Sequence, residues 1–329
     1  MEKEKSSRIN ELKHLIYFAV KAPSGHNTQP WKFKVTEEGI EIHPDLDRAL
    51  PATDPLNREL YISLGCALEN LVIAAHEFNY EVAYRIVQTY NNTFIIKVAL
   101  TSSGSVSIHE LFSSIELRQT NRSVYDKVHI APENIKTLLS IRREGNTGIH
   151  AFRRSNEHFE MITDFLARAN SIRMQDPEYK KELLDWMRFN PKDTSESKDG
   201  LSYKAMGTPP MPEFMGKSLA KGFINAHRQT VADMEKINSS SHIILFSTQE
   251  QNEKAWILLG VTLERFLLLS TKMGMAHAYI NLPCEVDRLV EEMRDVLPID
   301  KEYPNILLRI GYADRVSFSK RKDIEDVIF

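Results

Sequence analysis

The residues best suited to chemistry lie in Ala22-Pro23-Ser24-Gly25-His26-Asn27-Thr28-Gln29-Pro30-Trp31. Pro23, Ser24 and Gly25 bend the backbone. His26, Asn27 and Gln29 can each donate and accept hydrogen bonds, and Pro30 then leads into Trp31. Such a loop presents backbone N–H groups and amides at a fixed edge, which is what holds a planar, heteroatom-rich ring in one orientation. A second group is Leu117-Arg118-Gln119-Thr120-Asn121-Arg122. Its two guanidiniums suit a phosphate dianion, and Thr120 and Asn121 add neutral donors. Taken alone, Arg-x-x-x-Arg reads better as a solvated charged helix end. A third basic cluster, Lys320-Arg321-Lys322, reads alone as a solvated tail.

These groups need elements to position them. Periodicity predicts a helix over Ile9–Lys21, ending before Pro23. Short strands follow at Trp31–Val35 and Gly39–His43. Asp54-Pro55 is expected to open a helix through Glu77, and Asn92–Leu100 reads as a strand. Thr101–Ser107 is a Ser/Gly separator before a helical region at Ile108–Gln119. Further helices are expected near Pro132–Arg143, Asn156–Ala169 and Pro177–Arg188. Asn190–Gly216, with four prolines and three glycines, shows no regular period and reads as a functional cover or a disordered link. His242–Ser247 is a strand, Glu253–Met273 a helix and Asn305–Ile310 a last strand.

One internal comparison is more specific. Leu64-Gly65-x-x-Leu68-Glu69-x-Leu71-Val72-Ile73 aligns with Leu259-Gly260-x-x-Leu263-Glu264-x-Phe266-Leu267-Leu268, at an offset of 195 residues. Each lies on a long apolar helix that is eventually followed by a strand. Two copies of one α+β unit in a single chain explain this, the long helices packing at the centre of a pseudo-two-fold pair.

The composition is that of a soluble globular protein: 329 residues, 42% hydrophobic, 26% charged, net charge −3. It gives no reason to expect nucleic acid or a membrane surface as partner. The first apolar run, Leu15–Val20, is too short for a secretory core, and Ala255–Leu269 is interrupted by Glu264-Arg265. Cys66 and Cys284 have no metal spacing and read as buried small hydrophobes, so a cytoplasmic compartment and no metal are expected.

In their order along the chain these motifs resemble the FMN-dependent nitroreductase family, in particular its single-chain, internally duplicated Acg-like branch. The resemblance covers most of the chain. It rests on Ala-Pro-Ser-x-His-Asn-Thr-Gln-Pro-Trp through Trp31, Arg-x-Thr-Asn-Arg at Arg118–Arg122 and the Leu-Gly-x-x-Leu-Glu helices. Leu-Leu-Arg-x-Gly-Tyr-Ala at Leu307–Ala313 and the basic cluster before Asp326-Val327 complete it. It implies an α+β, nitroreductase-like fold of two fused units forming a pseudo-dimer around central helices. The first unit, 1–107, would carry the ring-side loop. The second, 108–329, would carry the phosphate side, with 190–216 as a candidate lid.

By the same resemblance Pro23, Ser24, Gly25 and Asn27 would touch the flavin ring, with Gln29 beside them. Arg118, Thr120 and Arg122 would hold the phosphate, with Asn121 and with Lys320 or Arg321. Ala278, Tyr279 and Asn281 match the stretch near flavin N5, although the family's Glu-Gly reads Asn281-Leu282 here. The ring motif occurs in the first half and the phosphate motif in the second, so one FMN per chain is expected. No catalytic side chain is required; His26 is either an acid or a structural turn residue. Trp31 reads as core, and Met206, Met211 and Met215 either press on the flavin or pack within their segment.

The implied activity is transfer of hydride from NADH or NADPH through FMN to nitroaromatic, quinone or similar electron-poor acceptors. No Gly-x-Gly-x-x-Gly fingerprint is present, which fits a nicotinamide bound transiently. The alternative is a lid-closed protein that stores or sequesters FMN without turnover. A further option is dehydrogenation or reductive dehalogenation on the same fold. Partners are expected to be small molecules, and the protein a monomeric pseudo-dimer or a homodimer.

Overall fold

A computed structural model describes residues 2–104, 109–223 and 226–329, with side chains described outside 1–7 and 219–226. The expected boundary between 107 and 108 lies outside the described residues. Strands β1 (Trp31–Val35), β2 (Gly39–Pro44), β3 (Tyr80–Gln88) and β4 (Phe94–Ser102) belong to the first half. Strands β5 (Thr147–Arg153), β6 (Met187–Arg188), β7 (Leu201–Ser202), β8 (His242–Thr248), β9 (Ala276–Tyr279) and β10 (Tyr303–Gly311) belong to the second. Helices α1 (Glu2–Ala19) and α2 (Arg58–Glu77) are followed by a short α3 (Ser114–Leu117). Then come α4 (Pro132–Leu139), α5 (Glu157–Arg173), α6 (Pro177–Asp185), α7 (Pro191–Ser197), α8 (Glu213–Phe223), α9 (Ala226–Asn238), α10 (Glu253–Lys272) and α11 (Asp287–Val296).

Among the described residues the sheets repeat one plan. The first is four-stranded in the order β1-β2-β4-β3, the second in the order β5-β8-β10-β9, and every pairing within them is antiparallel. Taking each sheet's strands in chain order, both read first-second-fourth-third. In each, a 20-residue helix, α2 or α10, connects the second strand to the third. The fold is thus α+β, and the repeat seen in the sequence is a repeat of topology.

Both long helices are buried on nearly every side, which their apolar sequence requires. They cross at glycine on glycine. A Cβ added to Gly65 would lie 2.0 Å from the Ile257 carbonyl oxygen, and one added to Gly260 would lie 2.0 Å from that of Ile62. One apolar core joins Trp31, Phe33 and Ile42 of the first half to Phe246, Phe266 and Leu308 of the second. The outer face of the second sheet carries another, where Ile243, Leu245 and Leu307 meet Phe159, Ile162, Leu289 and Met293. Alternate residues of β8 therefore face two cores, and that strand is buried throughout.

Several elements differ from the sequence expectation. The central helix begins at Arg58, because Asn57 takes a left-handed φ of 57°; the Asp54 carboxylate still accepts the Leu60 N–H at 3.1 Å. Of the helical region expected at Ile108–Gln119, only Ser114–Leu117 is helical among the described residues. The segment expected to be irregular, 190–216, contains α7, β7 and the start of α8. Strands β3, β5, β6 and β9 and helices α9 and α11 are additional. No helix among the described residues is long and apolar enough to cross a membrane.

Candidate functional site

Two chain crossings assemble the site. After α3 the chain is extended, and Thr120 bridges in parallel to His277 on β9, with the Asn121 N–H donating to the His277 carbonyl at 2.9 Å. In an extended segment alternate side chains share a side. Arg118, Thr120 and Arg122 line one cavity, which Gln119 also borders. Asn121 does not: its amide donates to the Asp314 carbonyl at 2.8 Å and its oxygen accepts from Ser123. At the other crossing the C-terminal tail reaches the first sheet, where the Phe33 N–H donates to the Val327 carbonyl at 2.7 Å. This brings Lys320 and Arg321 to the same cavity.

The loop at 23–29 closes the opposite wall. His26, Asn27 and Gln29 have φ of 46°, 57° and 54°, and the Ser24 hydroxyl accepts the Gln29 N–H at 2.9 Å. Left-handed backbone is unfavourable for side chains other than glycine and asparagine, so the surroundings must hold it. They do so through Asn27, whose oxygen accepts from Arg321 at 2.8 Å. Its Nδ2 donates to the carbonyls of Gly200, at 3.2 Å, and Lys320, at 3.1 Å. Gln29 is fully buried, donating to the Lys198 carbonyl at 2.9 Å and accepting the Lys322 N–H at 2.9 Å. Both amides therefore tie the loop to the 198–200 segment and to the tail.

Two cavities meet here. The outer one, about 730 Å³, is lined by Pro23, Ser24, Asn27, Arg118, Thr120, Arg122, Lys320 and Arg321 among others. The inner one, about 290 Å³, is lined by Pro23, Ser24, Gly25, His26, Arg122, Ala278, Tyr279 and Asn281 together with Glu59 and Glu285. Pro23, Ser24, Arg122 and Leu201 border both. Of the sequence candidates, Gln29 and Asn121 border neither.

The cations around these cavities are in different states. Arg118 is buried and committed: its Nε lies 3.2 Å from a carboxylate oxygen of buried Glu264, and its Nη2 donates to the Lys21 carbonyl at 2.6 Å. Arg321 is committed to Asn27 and to the carbonyls of Val20, Lys21 and Ala22. Burial, reinforced by the charge of Arg118, lowers its pKa to about 9. Among the described residues Arg122 makes neither a hydrogen bond nor an ion pair, and burial lowers its pKa as well. His26 is pushed down to about 4 by burial and then by Arg122, so it is neutral at neutral pH, and its Nδ1 has no partner.

A group that sequence reasoning missed lines the inner cavity. Glu59, in the first turn of α2, accepts from Asn281 Nδ2 and sits 3.0 Å from where a Gly25 Cβ would lie. It touches both the loop and the chain after β9. Burial raises its pKa to about 7 and, with the neighbouring Glu59 charge, raises that of Glu285 further. Glu59 lies one turn ahead of the Leu-Gly-x-x-Leu-Glu motif, where an acid among apolar residues was the available signal.

No family model matches the chain. It is 23% identical over 327 residues to "Putative NAD(P)H nitroreductase Rv3131" of Mycobacterium tuberculosis, covering 96% of this chain and 90% of that protein. "Uncharacterized protein Rv3127" of the same organism is 24% identical over 324 residues, covering 92% and 87%. "Putative NAD(P)H nitroreductase acg" is 35% identical over 63 residues, 19% of each chain. Among solved structures, the FMN-dependent nitroreductase NfnB of Mycobacterium smegmatis in complex with NADPH aligns with a TM-score of 0.42 and 11% identity, covering 66% of this chain and 97% of that one. The opening loop, the Arg118–Arg122 element and the two units of one topology fused in a single polypeptide accompany a similarity to Rv3131 that runs over 96% of this chain.

Proposed function

We propose that the chain is an FMN-dependent oxidoreductase that takes hydride from NADH or NADPH and passes two electrons to nitroaromatic, quinone or similar electron-poor acceptors. The observation that carries this reading is Arg122, an unpaired guanidinium bordering both cavities opposite the Pro23–Gly25 loop. A cation without a protein partner in a largely buried wall suits an anionic ligand. The orphaned Nδ1 of His26 and Oγ1 of Thr53, both lining the inner cavity, fit a heteroatom-rich group there.

In this reading Arg122, Thr120 and Lys320 hold the FMN phosphate, and Pro23, Ser24 and Gly25 face Ala278 and Tyr279 across the ring. FMN, when bound, supplies the ring that accepts and returns hydride. The chain's own residues position it and exclude water. Asn27, Gln29 and Asn121 fix the walls. Arg321, which has no carboxylate partner among the described residues, sets a positive field at one end, which favours negative charge there. The loop wall at 23–25 and the wall carrying Thr120 and Arg122 belong to different sequence halves, so the proposed stoichiometry is one FMN per chain, the units dividing near 107/108. The test is the spectrum of the FMN-loaded protein on anaerobic addition of NADPH or NADH: bleaching supports the reading, and a flavin that stays oxidised with both contradicts it.

A specific contact favours a second reading, FMN storage under a closed lid. The 190–216 segment is fastened over the loop by Lys198, Gly200 and Asp199. Asp199 pairs with Arg48 and, at 2.7 Å, with Arg188, and Leu201 projects between the two cavities. In that case the loaded protein stays oxidised until the segment is released.

A further inference from the structure

The wall of the inner cavity holds a charge imbalance. Glu59 and Glu285 line it, and Asp54 lies behind them, its carboxylate on the Leu60 N–H. Two guanidiniums face these three carboxyls. Arg58 Nη2 lies 3.8 Å from Glu59 and its Nη1 donates to the Cys284 carbonyl at 2.6 Å. Arg173, from α5, donates to the carbonyls of Ala52, Thr53 and Glu285. Fully ionised, the group carries one excess negative charge in a largely buried place. Such an arrangement retains a proton that belongs to the set rather than to one member.

The remaining neighbours do not remove the excess. Glu182 of α6 accepts the N–H groups of Ala52 and Thr53 and adds a negative charge nearby. Asp233 and Lys236 of α9 line the far side with opposite charges, Tyr179 is neutral, and His26 is neutral. Arg122 and Arg309 also line the cavity, but the cations that act on Glu59 and Glu285 are Arg58 and Arg173. An independent observation points to a ligand here: Thr53 is 3% exposed, lines the cavity, and its hydroxyl has no partner.

We propose that Glu59 is the proton donor to the acceptor bound in the inner cavity, drawing on a proton shared with Glu285. This deepens the proposed function and rests on it. Glu59 is the member placed for it, since it reaches both the Gly25 backbone and Asn281. When one quinone oxygen receives a hydride there, the first O–H bond forms, both carbonyl π bonds give way as the ring becomes aromatic, and the other oxygen takes the electron pair. The Glu59 proton then forms the second O–H bond and the hydroquinone leaves. Quinone, hydride and proton balance the product, and the Glu59 carboxylate regains its proton from water. Donation of this kind is worth about a hundredfold or more in rate.

Two measurements test it. In flavin-free protein, the infrared difference between wild type and Glu59→Gln contains a protonated-carboxyl band that titrates away near pH 7. With FMN bound and reduced, oxidation by benzoquinone falls as pH rises through that value in wild type. In Glu59→Gln it is slower at pH 6 by about a hundredfold and independent of pH, while Glu59→Asp keeps the pH dependence. Absence of the band overturns the proposal, as does a Glu59→Gln protein whose rate and pH profile match wild type. A chain that takes up no FMN overturns the proposed function and the delivery step with it. Uptake and bleaching with an unaffected Glu59→Gln overturn the proton donor alone.

Discussion

Gly65 and Gly260 face each other across the centre of the molecule, a Cβ on either falling 2.9 Å from the other's Cα. The relation is reciprocal, as a two-fold axis demands, and it joins equivalent positions of the repeated motif. Everything at the site depends on this crossing, because α2 carries Glu59 and α10 leads into β9.

Substituting Gly65→Ala drives a methyl group into the Ile257 carbonyl, and backbone cannot move aside as a flexible side chain would. The expected loss is about 3 kcal/mol, the upper range of overpacking, and Gly260→Ala should lose a similar amount. Urea unfolding of both variants checks this. The double variant should cost less than the sum, since one separation of the helices relieves both clashes. Additive losses would deny the shared contact.

Arg118 and Arg122 lie four residues apart and should respond differently. Arg118→Ala leaves Glu264 unpaired and buried. Removing one partner of a buried pair costs about 3–5 kcal/mol, so unfolding should shift strongly. Arg122 has no protein partner to abandon, so Arg122→Ala should keep its stability and weaken FMN binding at least tenfold. Flavin titration and urea unfolding, run on both variants, separate the two roles.

The fastening of 190–216 should depend on pH in one direction. Burial opposes ionisation of Asp199, but hydrogen bonds from Arg48 and Arg188 outweigh it and hold the carboxyl below its ordinary value. A depressed folded pKa means that the contribution is complete above the ordinary carboxylate pKa of about 4 and is lost only below it. Proteolysis within the segment should therefore be flat from pH 5 to 8. Asp199→Asn should be cut faster throughout that range. If the closed segment blocks turnover, the same variant gains NAD(P)H oxidation.

Much of this was legible in the sequence because local pattern and global fold agree. The two glycine motifs gave the duplication, and the order of loop and arginines gave the site's two walls. What escaped notice has physical causes. Strand β3 alternates apolar and charged residues, Tyr80, Val82, Tyr84 and Ile86 against Glu81 and Arg85, and its half-exposed, charged face weakens the apolar signal. Helix α7 hid among prolines although Asn190 caps it and Pro191 occupies its first position. Asn121 was grouped with its arginine neighbours, yet in an extended segment alternation turns it the other way. The Asp54, Glu59 and Glu285 set could not be read at all, since two units must fold together before its members meet.

The most direct test of the whole account is the flavin stoichiometry of the purified chain. Each half supplies one wall, so titration with FMN should saturate at one per chain, and Arg122→Ala should lose that site. Saturation at two per chain, or none taken up by a folded protein, would contradict the fused pair with a single site.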